Sequence, residues 1–212
     1  MKTKRVAIYC LAALVAGCVP VVSLHPLFTK DDIAFDEKLL GVWVEDVNSP
    51  DASWEFARIT EEEASNLPDD LKSEFKRVYR LNIVDDEGHR GSLAACLVKL
   101  GSRTFLDVLP DTLPSGERDI EKAKLLYNAF LLLRVHTFLR VDSIGDALKM
   151  RLTDDDAFKK LTEAEPQAVK FTEVDDRFIL TASTKELQAF VTKYADDSRL
   201  FSSELTLTRK SK

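Results

Sequence analysis

The sequence predicts a mainly β fold, an antiparallel meander of short strands with a few short helical insertions. Two observations carry this. Runs such as Trp54-Glu55-Phe56-Ala57-Arg58-Ile59 and Glu204–Lys210 alternate apolar and polar residues at the period of a strand with one face buried. Compact turn compositions, Asp85-Asp86-Glu87-Gly88 and Gly101-Ser102, separate successive runs.

Taken in order, Asp36 can cap a short helical turn through Leu40, and Gly41-Val42-Trp43-Val44 opens the first strand. Asn48-Ser49-Pro50-Asp51 is turn-like and leads to the second strand, 54–59. Thr60–Lys76 is polar and acidic with Pro68 in its middle, which fits a helical or loop insertion. Val78–Val84, Ser92–Leu100 and Thr104–Leu109 continue the meander, and Pro110–Glu117 is a loop. Ile120, Ala123, Tyr127 and Phe130 follow a helical period, which predicts a short helix over 118–130. Val135–Val141 and Asp146–Leu152 form a hairpin turned by Ser143-Ile144-Gly145. A helix over 154–161, capped by Asp154, precedes strands at 169–173 and 177–182 joined at Asp175-Asp176. Ser183 caps a second helix, 185–194, with Leu187, Phe190, Val191 and Tyr194 as its apolar stripe. The final strand, 204–210, sets Leu205 and Leu207 against Thr206 and Thr208.

The N-terminus carries a different signal. Lys2, Lys4 and Arg5 precede eleven largely apolar residues, Val6 to Ala16. That stretch is too short for a membrane-spanning helix, which needs about 20 apolar residues. It ends in Leu14-Val15-Ala16-Gly17-Cys18, which resembles a bacterial lipobox. The resemblance implies cleavage before Cys18 and acylation of that residue, so the membrane is reached through a lipid anchor. An ordinary secretory signal cut elsewhere stays open. Val19 follows the cysteine where Asp would favour retention in an inner membrane. In a source with two membranes, the resemblance therefore implies the periplasmic face of the outer membrane. The expected organisation is a signal peptide over 1–17, a lipidated tether over 18–35 and a single domain over 36–212. The tether holds two prolines and several large apolar side chains, so it packs on the domain or against headgroups and is no loose leash.

Charge and cysteine content exclude several functions. Of the 30 basic residues three leave with the signal, so against 36 acidic residues the formal charge moves from −6 to −9. Such a chain, without a basic run, does not fit a nucleic-acid partner. Cys10 leaves with the signal and Cys18 is the acylation site, which strands Cys96 without a disulfide partner. Cys96 lies in the apolar run Leu93–Val98 and reads as a buried structural residue. His25, His89 and His136 lack metal-ligand partners at helical or strand spacing, and no nucleophile elbow, metal motif or phosphate loop occurs. The acidic clusters 61–63, 69–70, 154–156 and 175–176 read as helix starts and turns. No catalytic residue, metal or cofactor is therefore expected.

Gly41-x-Trp43 after a short helical turn, the hairpin-linked meander and Arg209 on the last strand together resemble a lipocalin-like (calycin) β-barrel. The resemblance implies that Trp43 closes one barrel end with Arg209 over its ring, where a cation–π contact is worth roughly 0.5–2 kcal/mol. The helices near 154–162 and 184–195 depart from a plain lipocalin. Segments 23–28 and 180–188 are also similar to uncharacterised bacterial lipoproteins, which brings no activity. Two readings of function stay open. A barrel cavity would hold a small hydrophobic or amphiphilic ligand, whereas a filled barrel would dock an envelope protein; an enzyme comes third. Inward-facing bulk decides between the first two, and Trp54, Phe56, Tyr79, Leu81, Phe105, Phe138, Phe171 and Phe178 are the bulky candidates.

Overall fold

Pairing of the last strand with the first closes the sheet. In the computed structural model, which describes residues 21–45, 52–111, 132–153, 155–175 and 177–210, eight antiparallel strands form one barrel. Before them come two short pieces, β1 (Val22–Ser23) and β2 (Ile33–Ala34). The barrel strands are β3 (Gly41–Val44), β4 (Ser53–Arg58), β5 (Val78–Val84), β6 (Arg90–Leu100), β7 (Arg103–Pro110), β8 (Thr137–Ile144), β9 (Ala147–Leu152) and β12 (Ser203–Arg209). Each pairs with the next, and β12 returns to β3 with Thr208 opposite Val44 and Arg209 opposite Trp43. Closure leaves no free edge between these strands.

Two of the expected strands lie outside the eight-stranded barrel. The hairpin of β10 (Phe171–Val174) and β11 (Arg177–Leu180) forms a separate three-stranded sheet in which β11 pairs with β1 in parallel. Around the barrel lie α1 (Glu61–Ala64), α2 (Asp69–Lys72), α3 (Asp155–Ala164) and α4 (Thr184–Lys193). The insertion expected over 60–76 is thus two helical turns followed by a 3-10 turn at Phe75–Arg77. Reciprocal capping boxes start α1 (Thr60 with Glu63) and α4 (Ser183 with Glu186), satisfying backbone donors at each helix start. The helix expected over 118–130 and its loop lie outside the described residues, as do the Asn48–Asp51 turn and the Asp154 cap.

The β8–β9 turn differs from the expected Ser143-Ile144-Gly145. β8 runs on through Ile144, and a bulge lies between Val141 and Ser143. An extra residue re-aims a side chain. Here Asp142 accepts from Arg140 Nε at 2.7 Å and from Arg151 Nε at 2.9 Å on the outer face.

Two apolar cores result. The inner one fills the barrel with Trp43, Trp54, Phe56, Tyr79, Leu81, Leu97, Leu106, Met150 and Leu207, among others. The outer one lies between the barrel's outside and the added elements, and includes Val21, Leu27, Phe28, Cys96, Phe105, Phe138, Phe158, Phe178 and Phe190. β6 has both faces covered: Ala95 and Leu97 belong to the inner core, Ala94, Cys96 and Val98 to the outer. Its unbroken run Leu93–Val98 is what a strand buried on both sides requires.

Candidate functional site

One barrel end is closed by its own entry segment. Asp36 caps a 3-10 turn, Glu37–Leu39, by accepting from the Lys38 N–H at 2.9 Å. The turn sets its carbonyls over the barrel. Trp43 is fully buried and its indole N–H donates to Leu39 O at 2.8 Å. The Arg209 guanidinium lies 4.2 Å from the Trp43 ring centroid. It donates to Leu40 O at 2.7 Å and to Lys38 O. Gly41 has φ +120°, and a Cβ there would sit 2.8 Å from Arg209 Nη1, so the glycine makes room for the guanidinium. These contacts bring Gly41, Trp43 and Arg209 together. Tyr79 adds a second tie: its hydroxyl donates to Asp36 O at 3.0 Å and accepts from Asp36 N–H at 2.7 Å. Phe35 stacks on the Tyr79 ring at 4.7 Å, and Arg58 lies over Phe35.

Above this floor the interior is occupied by bulk. Trp43, Trp54, Phe56, Tyr79, Leu81, Leu97 and Leu106 are each 2% exposed or less. Of the eight bulky candidates, Trp54, Phe56, Tyr79 and Leu81 point inward. Phe105, Phe138, Phe171 and Phe178 instead pack in or against the outer core. The Trp54 indole N–H is buried without a hydrogen-bond partner. Recesses of about 380 Å³, beside Ile59, Leu67 and Arg80, and about 310 Å³, beside Val169 and Phe190, involve the barrel's outside and the outer layer.

The second constellation holds the N-terminal segment down. Ser23 and His136 exchange backbone hydrogen bonds at 2.8 and 2.9 Å, and Leu24 N–H donates to Leu180 O. Asp107 is fully buried on the outer face of β7. One carboxylate oxygen meets His136 Nδ1 at 2.8 Å and the other accepts from Leu27 N–H at 2.7 Å. Burial pushes the Asp107 carboxyl above its usual range, against the pull of His136 and the Leu27 amide. Phe28 meets the His136 ring edge-on at 6.0 Å. Gln188 on α4 donates to Leu27 O and to the Asp32 carboxylate, and Arg77 donates to Ile33 O and Lys30 O. The segment from Val21 onward is therefore built into the body.

Asp107 was not legible as part of a site, although a lone carboxylate inside Phe105-Leu106-Asp107-Val108-Leu109 was the available signal. His89 meets Asp85 Oδ2 at 3.0 Å in its hairpin turn, and His25 lies beside Ser23, whose hydroxyl donates to His25 O. Cys96 is a free, buried thiol whose pKa is raised by burial and by nearby Asp107. Among the described residues no group of three or more His, Cys, Asp or Glu is arranged to hold a metal, and no helix is long and apolar enough to cross a membrane. Cys18 lies outside the described residues. No family model matches the chain, and neither a curated protein nor a solved structure matches it significantly.

Proposed function

We propose that this chain is a bacterial lipoprotein anchored through Cys18, whose calycin-like barrel is a filled, non-catalytic interaction module of the cell envelope. The observation that carries the reading is the barrel interior. Two tryptophans, a tyrosine, a phenylalanine and several leucines occupy the space that a ligand would need. A lipid-binding cavity is also lined by apolar side chains, but it leaves them accessible to the lumen; these are each 2% exposed or less. What such a domain offers a partner is its outer surface. The outward residues of β12, Glu204, Thr206 and Thr208, are exposed and polar, as suits a surface that stays soluble until it is docked. The anchor rests on the lipobox at Leu14–Cys18 and, in a source with two membranes, places the domain on the periplasmic face of the outer membrane.

Native mass spectrometry of the detergent-extracted protein tests both parts. The expected species begins at Cys18, carries acyl chains on that residue and retains no further lipid. A non-covalent lipid retained one-to-one would restore the ligand-binding reading. An unmodified Cys18 would remove the anchor.

A further inference from the structure

One recess on the outer surface carries charge of the opposite sign to the chain. The whole chain has 30 basic and 36 acidic residues, a formal charge of −6. A recess of about 810 Å³ lies between the β6–β7 turn and α4. It is lined by four cations, Lys99, Arg103, Lys185 and Lys193, against two carboxylates, Asp32 and Asp196.

Both carboxylates are already engaged. Asp32 accepts from the Thr29 N–H at 2.9 Å and from Gln188 at 2.7 Å. Asp196 is paired with Arg103 and, at 3.3 Å, with Arg140. Lys193 donates to the Tyr194 hydroxyl at 2.7 Å and is paired with Glu165 at 3.4 Å. Lys99 and Lys185 are exposed, and neither has a side-chain partner among the described residues. The recess thus keeps two uncompensated positive charges. Its frame is also set in advance. The Lys99 N–H donates to Asp32 O at 2.9 Å, Gln188 ties α4 to Asp32, and Arg103 ties the β6–β7 turn to Asp196 just beyond α4. Such preorganisation lowers the ordering cost of binding.

We propose that this recess docks an acidic, extended peptide segment of an envelope protein, with carboxylates of the segment on Lys99 and Lys185. This rests on the reading of the domain as an interaction module and assigns the surface that the partner takes. The recess falls in the range of about 300–1,000 Å³ that holds drug-sized ligands, and is larger than a lone anion needs. Leu100 and Ala189 in its lining give the segment an apolar contact as well. An anionic bilayer is the poorer fit. The acidic excess of the chain opposes approach to it, and the lysines line a recess, which a peptide segment enters and a flat surface does not.

The test is fluorescence anisotropy with the full-length protein in neutral detergent and a labelled, end-blocked peptide of alternating Glu and Ala. A Gln–Ala peptide is the uncharged control. The expected result is saturable binding of the Glu–Ala peptide alone at low salt. That binding should weaken about two- to fivefold for each of Lys99→Gln and Lys185→Gln, and weaken again at about 0.1 M salt. Lys149→Gln and Lys160→Gln remove the same charge from exposed positions outside the recess and should leave the affinity unchanged. Equal weakening by the two pairs of variants, or no binding of the acidic peptide, overturns the inference. So does a recess whose lysines bind no peptide and instead set a preference for phosphatidylglycerol over phosphatidylcholine vesicles, which would be a lipid contact. Absence of peptide binding leaves the filled barrel standing, whereas a lipid retained one-to-one in native mass spectrometry removes the filled barrel whatever the peptide does.

Discussion

The inner and outer cores of this protein solve burial in different ways. Inside the barrel the described side chains are apolar or aromatic, and the Trp43 and Tyr79 polar atoms are satisfied by backbone groups at Asp36 and Leu39. The outer core encloses a buried carboxylate and a histidine, Asp107 and His136, which together meet the Leu27 amide and the Ser23 backbone. The inner core is made by residues 39–207 and closes on itself. The outer core is completed only when residues 21–35 lie down on it. The difference teaches that the N-terminal segment from Val21 onward is a structural element of the outer layer.

The largest expected effect breaks that dependence. Starting the chain at Thr29 removes Val21, Leu27 and Phe28 from the outer core, each worth roughly 1.5–3 kcal/mol of burial. Hydrogen exchange should then lose protection in β10, β11 and α4 while β4, β5 and β12 keep it. Equal loss in both regions would show that the two cores form one cooperative unit.

Next comes the buried pair. Asp107→Ala leaves His136 and the Leu27 N–H without their shared acceptor, and each buried donor left unsatisfied costs on the order of 1–3 kcal/mol. Urea denaturation should report that loss, together with faster proteolysis near residues 24–30. A variant as stable and as protease-resistant as wild type would mean that Asp107 does not hold the segment.

At the barrel floor the effect is smaller. Gly41→Ala forces a side chain into a left-handed position and against Arg209, at a cost of about 1–3 kcal/mol. In an Arg209→Ala background the steric share disappears and the backbone share stays, so the two substitutions should couple in a double-mutant cycle. Simple additivity would place the guanidinium elsewhere.

The smallest effect is a pH dependence at α4. The Glu186 carboxyl is held down to about 2, first by its ion pair with Lys170 and then by Ser183 in the capping box. A depressed carboxylate contributes stability above its unfolded value near 4.5, and loses it as pH falls toward 2. Exchange protection at the start of α4 should fade over that window, and Glu186→Gln should flatten the dependence. An unchanged profile in the variant would assign the titration to another group.

Much of the barrel was legible because alternation is a strong signal where one face is wet. Val78–Val84 is the strand that its alternation indicates, and β12 likewise sets Leu205 and Leu207 inward. What alternation does not encode is which face is which when both are covered. Phe105 and Phe138 alternate as inward residues would, yet they face the outer core. The apolar run Leu93–Val98 was the trace of that second layer, since a strand wetted on one face does not need it. β10 and β11 have the same local pattern as barrel strands; β11 takes β1 as its second partner, and such long-range pairing leaves no local mark.

Brominated-lipid quenching of intrinsic fluorescence tests the filled barrel most directly. The chain has two tryptophans, Trp43 and Trp54, and both belong to the inner core. A ligand in the barrel would lie against them, whereas a lipid on the outer surface would not. With the non-acylated chain from Val19 onward, brominated fatty acid or phospholipid should leave tryptophan emission unchanged up to the concentration where the lipid aggregates. Saturable, one-to-one quenching at micromolar concentration in a protein that remains folded by circular dichroism would contradict the filled barrel and make this a ligand-binding domain.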